Sequence, residues 1–117
     1  MERPSRPPPS GVREHVGDGI LELRVQGEQF VLEHAREVVR IVFEGPDTLP
    51  RNVALDLEGV RYVNSSGISV LIRLNVERKL VVVGLAESAR EVLDLAGVLP
   101  FLTLVPNMEA AREAFRK

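Results

Sequence analysis

Hydrophobic and polar positions change period several times along this chain, and each change marks an element. From Ile20 to Gln26 the residues alternate, Leu21, Leu23 and Val25 against Glu22, Arg24 and Gln26, which predicts a strand with one wet face. Val12 to Val16 reads as a shorter strand before it, and Gly17-Asp18-Gly19 between the two is a hairpin signal. The period then lengthens. Val31, Leu32, Ala35, Val38, Val39, Val42 and Phe43 form one helical stripe, with Glu33, Arg36, Glu37 and Arg40 opposite. A first helix is therefore expected over roughly Phe30 to Phe43, with no clear capping residue, and Gly45-Pro46 ends it.

The middle of the chain carries the densest set of signals. Val53, Leu55 and Leu57 alternate with Ala54 and Asp56, a strand with one favoured buried face. Glu58-Gly59 breaks it, and Tyr62-Val63 re-enters apolar surroundings. Asn64, Ser65 and Ser66 are three strong helix-capping types in succession, just ahead of Ile68, Leu71 and Ile72 at helical spacing. A second helix should run from about Ser66 to Glu77. Free N–H groups and the helix dipole favour negative charge at such a start, which can accept a phosphate.

Leu80 to Val83 is an almost pure apolar run, the mark of a central strand covered on both faces. Ala86 to Ala96 follows as a third helix, with Ala89, Val92, Leu93 and Ala96 on one face and Gly97 as terminator. Phe101 to Val105 is a short last strand. Asn107 caps a fourth helix whose Met108, Ala111, Ala114 and Phe115 face inward. The order β-β-α-β-α-β-α-β-α predicts an α/β fold: a mixed sheet of about five strands layered with four helices, with no internal repeats.

Composition narrows the function. At 117 residues the chain is one domain, expected over residues 12–117. Residues 1–11 hold Arg3, Pro4, Arg6, Pro7, Pro8 and Pro9, a disordered or polyproline-like tail, with a Pro4-to-Pro7 docking motif as the lesser reading. A net charge of −2 argues against nucleic acid as a partner. Cysteine is absent, which removes disulfides, thiolate metal sites and cysteine catalysis. No apolar run is long enough to span a membrane and no signal-peptide core is present, so a cytoplasmic protein without membrane insertion is expected.

Enzymatic chemistry finds little support. Phosphate-loop, dinucleotide and zinc-protease motifs are missing, and no cofactor or metal is implied. Asp56 and Glu58 leave a strand on the same face, as a carboxylate pair could, but few aromatics exist to bind a sugar. Ser65 or Ser66 with His15 or His34 is a minor hydrolase reading; both histidines read better as surface or structural residues. Asn64-Ser65-Ser66 also matches a glycosylation sequon, without meaning in the cytoplasm.

The run Leu55-Asp56-Leu57, Val60, Val63-Asn64-Ser65-Ser66-Gly67-Ile68, Val70-Leu71 resembles the core motif of STAS domains, most of all the anti-sigma factor antagonists of bacterial partner-switching systems. Val82-Val83-Gly84-Leu85-Ala86 with Arg90, Val92-Leu93 and Leu95-Ala96-Gly97-Val98 resembles the family's later block. The resemblance covers roughly residues 14–116. It implies a non-enzymatic regulator that docks on an anti-sigma factor serine kinase, or a related ATPase-fold protein, and so releases a sigma factor. Other STAS proteins are a further partner class, and a scaffold in a stress-sensing or lipid-transport complex is the alternative role. The family's phosphorylated residue maps to Ser65, and the partner surface to Asn64, Ser65, Ser66, Gly67, Ile68 and Ser69. Two departures stand out. Relatives have Asp where this chain has Asn64, and a longer second helix with a Gly-containing turn where it has only Asn75 to Lys79.

Overall fold

The structure is a computed structural model and describes residues 11–116; the proposed tail and its docking motif, up to residue 10, lie outside these. Strands β1 (Val12–Gly17) and β2 (Ile20–Val25) form the expected hairpin. Asp18 at φ 56° and Gly19 at φ 74° turn it, the left-handed pair that a two-residue hairpin needs. β2 then runs parallel to β4 (Asn52–Asp56), β4 parallel to β6 (Lys79–Val83), and β6 parallel to β7 (Leu104–Val105). The result is a five-stranded mixed sheet in the order β1-β2-β4-β6-β7.

Between its strands lie α1 (Leu32–Phe43), α2 (Ser65–Glu77), α3 (Glu87–Leu95) and, last, α4 (Met108–Arg116), the four helices expected. Helices α1, α2 and α3 cover one face. Leu21, Leu23, Val25, Val53, Leu55, Leu80 and Val82 point into it and meet Val38, Leu71, Leu74 and Leu93 in the main core. Among the described residues α4 alone covers the other face, where Ala111, Met108, Ala114 and Phe115 pack on Ile20, Ala54, Val81 and Val83. This two-sided cover explains why β6 is apolar at consecutive positions. It also corrects the single buried face expected for β4: Ala54 is buried beneath α4 and Asp56 is buried too.

Other boundaries differ, each for a physical reason. Phe30 does not open the helix but ends a two-residue strand, β3 (Gln29–Phe30), paired in parallel with β5 (Tyr62–Val63) as a separate ladder. Phe30 is fully buried there, so it belongs to the core through the ladder and not through α1. Within α1, Ile41 is buried while Leu32, assigned to the stripe, is 44% exposed. The last strand shrinks to Leu104–Val105 because Leu99–Phe101 winds into a 3₁₀ turn around Pro100. β6 begins directly after Arg78, so the missing turn of the resemblance is absorbed by α2 passing straight into the sheet.

Candidate functional site

The start of α2 is assembled from three elements. The β3–β5 ladder brings Phe30 beneath it, and the Asn64 N–H donates to the Phe30 carbonyl at 3.3 Å. Asn64 is the N-cap, in extended conformation, and its Oδ1 accepts from the N–H groups of Ser66 (3.0 Å) and Gly67 (3.1 Å). Of the three capping types in succession, Asn64 is the cap, which frees both serine hydroxyls from that task. Ser65 is the first helical residue and is exposed.

Gly67 is buried against Phe30. A Cβ at this position would lie 2.6 Å from the Phe30 carbonyl oxygen and 2.8 Å from a Val63 methyl, so no larger residue fits. The six residues expected to form a partner surface thus divide. Ser65 and Ser69 are exposed one turn apart, Asn64, Ser66 and Ile68 are half-buried, and Gly67 acts by allowing close packing.

The exposed stripe continues down α2 through Ile72 and Val76, which present apolar side chains to solvent. On one side an open groove of ≈ 530 Å³ separates it from α1, lined by Leu32, Ala35, Val39 and Val70, with Ser66, Ser69, Arg36, Arg40 and Glu44 at its rim. On the other a hollow of ≈ 310 Å³ is formed by Ile72, Val76, Val98, Phe101 and Leu102, with Asn75 donating to the Phe101 carbonyl. Neither side was read from the sequence. The available signal was Leu32, a stripe residue without a partner to bury it.

The lower end of α2 is tied down by arginines. The Arg73 guanidinium stacks on the Phe43 ring at 3.8 Å and that of Arg78 lies 5.0 Å from it. Arg51 and Arg78 donate to the Glu77 carbonyl, closing a helix end that lacks a glycine.

The other candidates fall into structural roles. His34 Nδ1 accepts from the Val31 N–H at 3.2 Å, reaching back from the first turn of α1 to its N-cap residue, whose own side chain caps no N–H. His15 is exposed on β1, with Glu22 4.0 Å away. Asp56 Oδ1 accepts from the Glu58 N–H at 2.9 Å, and the Arg24 guanidinium lies 3.9 Å from Asp56 and 3.8 Å from Glu58. The two carboxylates therefore flank a cation, and that of Asp56 also holds a turn. Among the described residues no helix is long and apolar enough to cross a membrane, and no cluster could hold a metal ion.

The described residues thus form a small mixed sheet that presents a capped, serine-bearing helix start beside apolar hollows. The STAS domain model matches residues 12–111, and the chain belongs to the STAS domain family. Among solved structures it is similar to a putative anti-sigma factor antagonist from Thermotoga maritima, at 17% identity and TM-score 0.78, covering 91% of this chain and 95% of that one. It is also similar to an anti-sigma factor antagonist from Mycobacterium paratuberculosis, at 19% identity and TM-score 0.75, covering 96% and 100%. A sulfate transporter family protein from Wolinella succinogenes matches at 14% identity and TM-score 0.73, covering 88% and 93%. No curated protein matches in sequence. Family members of the antagonist type are non-enzymatic regulators.

Proposed function

We propose that this protein is an anti-sigma factor antagonist of the cytoplasm, which binds an anti-sigma factor serine kinase through α2 and is switched by phosphorylation of Ser65. The observation that carries this reading is the exposed Ser65 hydroxyl at the first position of a helix whose cap is supplied by its neighbour. A phosphoryl group there adds about −1.5 to −2 charges, which the helix dipole tolerates in the free protein. Against a partner the same charge must be desolvated. A cost of about 4 kcal/mol would lower affinity about a thousandfold, without any change of fold.

Incubation with the cognate kinase and ATP, followed by peptide mapping, tests the site. Phosphate on Ser65 is expected. Phosphate on Ser66 or Ser69, or none with an active kinase, overturns the assignment. In calorimetric titration Ser65→Ala should bind the kinase like the parent, and Ser65→Glu should bind far more weakly at an unchanged melting temperature. Equal affinities would remove the charge-exclusion mechanism.

Asn64 supports a second reading, a STAS scaffold that binds constitutively. It keeps the capping oxygen but lacks the negative charge that relatives place beside the serine. Binding that persists unaltered while Ser65 stays unmodified in the cell is the outcome this reading expects.

A further inference from the structure

The groove between α1 and α2 carries a charge arrangement that specifies what fills it. Leu32, Ala35 and Val39 on α1 and Val70 on α2 are its apolar lining, and three charged side chains of the α1 segment border it: Arg36, Arg40 and Glu44. Arg40 is already engaged, its guanidinium bonded to the Glu37 carboxylate by two hydrogen bonds. Arg36 and Glu44 form no ion pair with any described residue, and both are exposed. Positions 36 and 44 are about 12 Å apart along the helix, at 1.5 Å per residue. A cation and an anion thus stand about two helical turns apart beside an apolar lining, neither in a contact ion pair, with the Glu44 charge acting only at longer range on Arg40 one turn back.

We propose that this groove receives an amphipathic helix of the partner protein, its apolar side chains on Leu32, Ala35, Val39 and Val70, an acidic side chain at Arg36 and a basic one at Glu44. The proposal rests on the reading of this protein as a partner-binding regulator and names the partner's contact surface. The groove runs between two helices, so it offers ridges for a third helix to pack into, whereas an added strand needs open backbone groups that helix walls do not present. Leu32 to Glu44 spans about 18 Å, room for roughly three helical turns. The occupant's acid and base should be seven or eight residues apart, facing the same way as its apolar stripe.

The pattern has a symmetry that makes it testable. A helix bearing one acid and one base can lie in the groove in either direction, and only one direction pairs both charges. The probe is a fluorescein-labelled, stapled helical peptide with a leucine stripe, a Glu and a Lys eight positions apart, titrated into the full chain by anisotropy. Arg36→Glu and Glu44→Arg should each weaken binding about fivefold, the scale of one exposed charge contact turned repulsive. The double exchange Arg36→Glu/Glu44→Arg should restore it, because the peptide reverses direction. Arg13→Glu on β1 should leave it unchanged. Peptide that does not bind, or binds with the double exchange no better than with the single ones, overturns the proposal. Self-association of the protein that Arg36→Glu abolishes would put a second copy in the groove, and also overturns it. Phosphate transfer to Ser65 is scored separately, so failure here and failure of the switch are told apart.

Discussion

At the scale of single residues, one oxygen organises the candidate site. Asn64 Oδ1 takes two backbone N–H groups, so Asn64→Ala should cost about 1 kcal/mol in urea denaturation. Asn64→Asp keeps the acceptor and adds a charge beside Ser65. It should raise the phosphorylation rate with the cognate kinase at saturating ATP and leave the melting temperature nearly unchanged; a rate that stays or falls shows that the charge is not what kinase recognition needs. Gly67→Ala would press a methyl against the Phe30 backbone, and a cost of about 1–3 kcal/mol is expected by urea denaturation. A loss near zero would mean the helix start can shift. The capping types at 64–66 were legible because capping is local chemistry. The demand on Gly67 was not, because it arises from Phe30, far away in sequence and brought close only by the β3–β5 ladder.

Elements add effects that no one residue shows. In α1 the Arg40 guanidinium, hydrogen-bonded to Glu37, holds that carboxyl below its ordinary value of 4.5. The folded state therefore favours the ionised form, and the gain is complete above that value and lost as pH falls through the lowered one. Glu37→Gln should be slightly less stable than the parent at neutral pH, with the gap in melting temperature closing in acid. A gap that stays constant with pH rules out the ion pair as its source. In α4, Phe115 is only partly buried, so Phe115→Ala should cost about 1–2 kcal/mol by thermal melting, short of the roughly 3 expected for a sealed ring. A shift near zero would mean that the ring does not clamp α4. Periodicity placed all four helices because each has an apolar stripe. It misplaced the start of α1 and shortened β7 less than the structure does, because pairing partners and the Pro100 turn, not local pattern, set those ends.

At the scale of the whole molecule, the described residues cover the sheet's two faces unequally, three helices against one. The alternation in β2 and the unbroken apolar run in β6 already encode this. β2 turns Glu22 and Arg24 outward beyond the reach of α4, while β6 is sandwiched. What the sequence left unsaid is how little fastens the single helix: Ala111 is its buried residue, and Met108, Ala114 and Phe115 only half-seal the rest. Local openings follow local packing, so amide exchange in α4 should be far faster than in β4 and β6. Such an opening bares Ala54, Val81 and Val83, an apolar strip along the two central strands, while the main core stays intact. Sticky surface would then appear well below the temperature at which the chain unfolds. Heated samples should begin to clump through that strip, with the Ser65 face still folded.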